Sequence, residues 1–167
     1  MALFVAIFIY SAAMTVANLL VAELGAVVTP FIAFFLIGLD LVLRDWLQVK
    51  LQIWQMAALI ALTGFLTYAL NPTADRIAIA SAIAFTAAAV FDWLAFSLLK
   101  GAWIRRSIGS NIAGSAVDSL IFPTIAFGSL MPGIVLAQFV AKIAGGAVWA
   151  WGLSKFANPE KQLPEAA

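Results

Sequence analysis

Cysteine and histidine are absent from the 167 residues. Thiol catalysis, disulfides, iron–sulfur clusters and His-ligated zinc or haem go with them. Charge is scarce as well: Asp, Glu, Lys and Arg make up 10% of the chain, against roughly 25% in a soluble domain. Nine basic against eight acidic residues leave a net charge of +1, without the basic tract that nucleic acid requires. No Gly-rich phosphate loop ending in Lys-Ser or Lys-Thr occurs, so nucleotide hydrolysis is not expected. The opening Met-Ala-Leu-Phe lacks the positive region of a secretory signal peptide. The first apolar segment is therefore expected to stay in the membrane, with little ahead of it.

What is present is apolar. Hydrophobic residues make up 65% of the chain and the mean hydropathy is +1.07. A soluble fold of this size has too little interior to hide them. Six segments of ~20 residues, each able to cross a ~30 Å hydrocarbon core, account for nearly the whole chain. They run from Ala2 to Ala22, Thr29 to Leu43, Leu51 to Leu70, Ile77 to Leu99, Ser107 to Leu130 and Gly133 to Phe156. Breaks fall at Glu23-Leu-Gly25, Arg44-Asp45, Asn71-Pro72, Lys100-Gly101 and Met131-Pro132. The runs are continuous rather than alternating, which favours helices over barrel strands. The sequence predicts an all-α polytopic membrane protein with one six-helix domain over 1–157 and a polar tail over 158–167. Arg44, Lys50, Lys100, Arg105, Arg106, Lys155 and Lys161 collect on one side and Arg76 alone on the other. By the positive-inside bias both termini, tail included, face the cytoplasm. Trp46, Trp54, Trp103, Trp149 and Trp151 fall near segment ends, as an interfacial aromatic belt does.

Ionisable groups inside a bilayer span cost ~2.5–3.5 kcal/mol each on insertion scales, so each needs a reason. Glu23, Asp40, Asp92, Asp118 and Lys142 qualify. Asp118 lies about 16 Å along the fifth helix from Ser107, and Lys142 about 13 Å along the sixth from Gly133. Both sit near the midplane on consecutive antiparallel helices, where an ion pair is expected. Ser107, Asn111, Ser115, Asp118 and Phe122 form one stripe at helical spacing. Gln138 stands one turn from Lys142. Two readings stand side by side: a solute cavity, or hydrogen-bonding glue between helices. Asp40 and Arg44, one turn apart, suit a local ion pair. Asp92 suits a basic loop partner, Glu23 is expected to be hydrated, and Asn18, further in, is a cavity candidate.

The order of these residues resembles the queuosine precursor transporter family, also known as the VUT family. The resemblance rests on Asn18, on Pro30 followed by Asp40-Leu-Val-Leu-Arg44-Asp45-Trp46, and on Arg105-Arg106-Ser107 leading through Asn111 to Asp118-Ser-Leu-Ile-Phe122. Gln138 and Lys142 complete it. Longer relatives end the second helix with a D-x-x-x-E-x-Y-G pattern, where this chain has Arg44 and Trp46. The resemblance implies a multi-pass protein of the bacterial cytoplasmic membrane. It also implies import of a 7-deazapurine base, such as 7-cyano-7-deazaguanine, by alternating access. Asn18, Asp40, Asn111, Ser115, Asp118, Phe122, Gln138 and Lys142 are the expected solute contacts. A carboxylate suits the N–H edge of a guanine-like base, and an aromatic ring stacks on it. The alternatives are a binding subunit docking on a separate energising module, or a carrier for another heterocyclic vitamin-like solute. Expected partners are the small heterocycle and the lipid bilayer, with self-association into a homo-oligomer left open. No nucleic acid, cofactor, metal or enzymatic activity is expected.

Overall fold

A computed structural model describes residues 3–48 and 50–156. Among them no strand occurs, and six long helices carry the chain. They are α1 (Leu3–Leu24), α2 (Ala26–Leu47), α3 (Ile53–Leu70), α4 (Asp75–Leu98), α5 (Trp103–Phe127) and α6 (Pro132–Phe156). The expected segments reappear with ends shifted by a few residues, except that α2 continues past Arg44-Asp45 to its close. The expected polar tail, 158–167, lies outside the described residues.

Local chemistry sets the ends. Pro30 stands in the first turn of the α-helical part of α2, where its missing N–H costs nothing. Gln52 and Gln55 cap the start of α3 reciprocally. Gly128, with φ +74°, closes α5 in the left-handed conformation. Within α2, residues Ala33–Ile37 widen into a π-helical turn before regular helix resumes at Gly38.

Five of the six helices are long and apolar enough to cross a membrane. The exception is α5, of comparable length, whose Ser107, Ser110, Asn111, Ser115, Asp118 and Ser119 lower its hydropathy and are all buried. The bundle is polar inside and apolar outside: Phe4, Phe8, Phe31, Phe65, Ile79 and Leu136 are exposed while Asp40, Arg44, Asp92 and Lys142 are not. Such a surface is tolerable only in lipid. Neighbour contacts close a ring in the order α1, α3, α4, α5, α6, α2 and back to α1. The polar faces therefore meet along the ring axis.

α2 and α6 approach closely backbone to backbone. A Cβ on Gly38 would lie 2.7 Å from the Gly145 carbonyl carbon, and one on Gly145 would overlap the Phe34 carbonyl oxygen of the π turn. Only glycine permits this contact. The tryptophans divide in two. Trp54 and Trp151 are exposed, as a belt requires, and Trp149 is half-buried with its indole N–H donating to the Phe35 carbonyl at 3.0 Å. Trp46 and Trp103, expected in the same belt, are instead fully packed inside one end of the bundle.

Candidate functional site

Two polar layers occupy the ring axis. The layer nearer the α5–α6 turn is built around Asp118 and Lys142, whose Nζ and Oδ2 lie 2.6 Å apart. The ion pair expected from matched depth is made. Lys142 also donates to Ser119 Oγ at 3.1 Å and to Gln138 Oε1 at 3.0 Å, which uses all three of its protons. Gln138 Nε2 donates in turn to Thr29 Oγ1 at 2.9 Å, and that hydroxyl donates to the Ala26 carbonyl at 2.7 Å. An unbroken chain of donors and acceptors thus runs from α5 through α6 to α2. Its single free end is Asp118 Oδ1, which is buried without a partner.

Asp118 lines a cavity together with Asn18, Thr29, Phe85, Phe122, Gln138 and Lys142, and Ile32, Ala33 and Ile37 of α2 complete the wall. The cavity volume is about 20 Å³, room for little more than one water. A flat heterocycle enters only when the helices part. Asn18 is fixed from behind, its Nδ2 donating to Thr67 Oγ1 at 3.2 Å. Five of the eight residues singled out in the sequence meet here: Asn18, Asp118, Phe122, Gln138 and Lys142.

The other three, Asp40, Asn111 and Ser115, do not line this cavity; they are buried in the second layer, nearer the ends of α2 and α4. There Arg44 Nη2 lies 3.5 Å from Asp92 Oδ2. The expected Arg44–Asp40 pair is not made, and Asp92 takes its charge from α2 rather than from a basic loop. Gly114 of α5 lies beneath the pair: a Cβ there would stand 3.1 Å from Arg44 Nη2 and 3.2 Å from Asp92 Cβ. Asp45 accepts hydrogen bonds from the hydroxyls of Ser107 and Ser110, the latter at 3.3 Å. Both oxygens of Asp40, both polar atoms of the Asn111 amide, and the hydroxyls of Tyr10 and Ser115 are buried without hydrogen-bond partners. Glu23, at the opposite end, accepts from Asn71 Nδ2 at 3.1 Å.

Sequence reasoning missed Thr29, Ser119, Phe85 and the Arg44–Asp92 pair. Thr29 was visible only as the residue before a helix-opening proline. The Arg44–Asp92 pair was within reach: both residues lie a turn or two from the same end of their helices, so matched depth brings them together as it does Asp118 and Lys142.

No curated protein and no solved structure matches the chain. A family model described as "Putative vitamin uptake transporter" matches residues 1–153, spanning all but the last few residues of α6 and every polar group of both layers. The chain belongs to this family of membrane uptake transporters.

Proposed function

We propose that this protein imports a neutral 7-deazapurine base, with 7-cyano-7-deazaguanine as the candidate solute, across a bacterial cytoplasmic membrane by alternating access. The observation that carries the reading is that Asp118, with its Oδ1 a buried acceptor without a partner, lines the same cavity as Phe122. A carboxylate oxygen in that position accepts from the N–H edge of a guanine-like ring, and the pairing is charge-assisted. Phe122 supplies a face for the heterocycle. Gln138 and Asn18 offer amides on either side of it. Asp118, Asn18, Phe122, Gln138 and Lys142 are the contacts in this reading, with Asp40, Asn111 and Ser115 one layer inward. The solute crosses unchanged, and a midplane site between helices suits a carrier that rocks around it. The charge asymmetry of the loops orients both termini to the cytoplasm. A reporter fused after Lys155 is expected to read as cytoplasmic and one in the Asn71–Arg76 turn as external.

The test is uptake in a host unable to make queuosine precursors, read as queuosine in its transfer RNA with each candidate base supplied outside. Asp118→Asn keeps the shape and one acceptor but turns a donor toward the base. It is expected to reach the membrane at near-normal abundance, because Lys142 retains Ser119 and Gln138, and to lose at least tenfold in uptake. Unchanged uptake in well-expressed Asp118→Asn, or equal competition by a nucleoside monophosphate, removes the reading. Uptake that requires a second, energising protein removes the carrier half of it.

A further inference from the structure

The second layer poses a charge problem that the solute site does not absorb. Four aspartates are buried in the bundle, Asp40, Asp45, Asp92 and Asp118, against two bases, Arg44 and Lys142. Lys142 balances Asp118 and Arg44 balances Asp92. Two carboxyls remain, and an isolated ionised carboxylate is not sustained in such a site; it neutralises instead. Asp45 is held by two serine hydroxyls, which satisfy its carboxyl within the bundle. Asp40 is different. It is wholly buried, and neither of its oxygens has a hydrogen-bond partner.

The groups facing Asp40 can be named helix by helix. From α1 the Tyr10 hydroxyl, itself buried and unpartnered, is within electrostatic reach, and on its own helix Arg44 stands one turn away. Asp92 of α4 and Asp118 of α5 are within electrostatic reach, and Lys142 of α6 is engaged by Asp118. α3 presents no charged side chain, and its one titratable group, Tyr68, is exposed. Among the described residues no three carboxylates converge closely enough to hold a metal ion. A groove of about 430 Å³ between α3 and α4 reaches Arg44 and Thr86, but the rest of its lining is apolar, and Ile53, Val90 and Trp93 are exposed on the lipid-facing surface.

We propose that Asp40 carries a transferable proton that couples solute import to the proton gradient. The inference rests on the import reading above. The proton enters with the solute from outside, rides on Asp40 while the bundle reorients, and leaves to water when the helices part on the inner side. Arg44, one turn away on α2, is the positive charge that the bare carboxylate then shares with Asp92.

The full chain in liposomes, in sodium-free buffer, with 7-cyano-7-deazaguanine as probe, tests this. One proton per solute gives about tenfold accumulation per pH unit of gradient. Asp40→Asn is expected to exchange the probe within threefold of the wild-type rate and to accumulate none. Accumulation by Asp40→Asn equal to wild type overturns the proposal, as does wild-type accumulation that survives collapse of the pH gradient or answers to a sodium gradient in its place. If Asp40→Asn does not fold, Asp40→Glu replaces it: this variant keeps an acid and is expected to retain gradient-driven uptake with a displaced pH optimum. Its complete loss in a folded protein overturns the proposal. If the wild-type protein does not even exchange the probe, the solute reading fails on its own, and infrared spectra of the same liposomes decide the proton question. A protonated-carboxyl absorption that disappears in Asp40→Asn or shifts in Asp40→Glu sustains it, and the lack of one overturns it.

Discussion

The two polar layers hold similar residues in opposite conditions. Lys142 uses all three of its protons, and the network passes through three helices and leaves Asp118 Oδ1 without a partner. Around Arg44 the guanidinium makes one long ion pair and no hydrogen bond, and Asp40, Tyr10, Asn111 and Ser115 all stand unpartnered. A fully satisfied network in a low-dielectric interior locks its helices together, whereas a partly satisfied one leaves them free to rearrange. The comparison assigns rigidity to the α5–α6 side and mobility to the region of Asp40, Arg44 and Asp92. A carrier needs both: a frame that keeps its binding groups in register and an element with two arrangements. Lys142→Met attacks the contrast most directly. It strands Asp118 as a buried charge, at a cost of about 3–5 kcal/mol if burial is complete. Thermal unfolding of the detergent-purified variant should show the largest loss of any substitution discussed here. Adding Asp118→Asn to it should recover a good part of that loss. A Lys142→Met protein as stable as wild type would mean that the satisfied layer is not the rigid one.

Much of this contrast was legible in the sequence, for a physical reason. Continuous apolar runs, proline at helix starts and the punctuation at Asn71-Pro72 and Met131-Pro132 fixed the six helices within a few residues. Depth along antiparallel neighbours fixed the Asp118–Lys142 pair, because α5 and α6 are joined by a short turn that leaves no choice of partner. The ring order was not legible, since lipid-facing apolar residues carry no record of which helix lies beside which. The Arg44–Asp92 pair needs α2 and α4 to meet across the ring, and Asp40 one turn away offered a nearer partner in sequence. Trp46 and Trp103 misled for the same reason: proximity to a helix end does not say whether a residue faces lipid or the axis. Of the eight proposed contacts, Asn111 and Ser115 share the helical stripe of Asp118 but not its cavity. The stripe runs along the axis, and the cavity occupies only its α5–α6 turn end.

The seam between α2 and α6 ties the layers together, and its effect should be intermediate. Gly145→Ala puts a methyl group into the Phe34 carbonyl oxygen, an atom of the π turn that cannot swing aside as a side chain would. Overpacking of this kind costs about 1–3 kcal/mol. Gly152→Ala, on the same helix with nothing within 4 Å, is the control and should leave stability unchanged. Uptake by Gly145→Ala should fall more than its abundance, because Thr29 and Gln138 meet across this seam. Equal behaviour of the two alanine variants would show that α2 and α6 move apart at no cost and that the π turn is not a fixed hinge point.

The smallest effect tests where the boundary between the layers lies. Ser115 is wholly buried and its hydroxyl has no partner. Deleting a polar group that makes no hydrogen bond removes a desolvation cost without losing an interaction, so the change is close to neutral. Ser115→Ala is expected to shift stability by less than about 0.5 kcal/mol. Because the hydroxyl lies outside the cavity at Asp118, uptake at saturating solute should change less than threefold. Apparent affinity, measured by competition with 7-cyano-7-deazaguanine, should stay with it. A tenfold loss of affinity at unchanged stability would place Ser115 against the solute. The binding site would then extend down the stripe into the layer of Asp40, and the division between a rigid binding layer and a mobile one would fall between Ser115 and Asn111 instead of between Asp118 and Ser115.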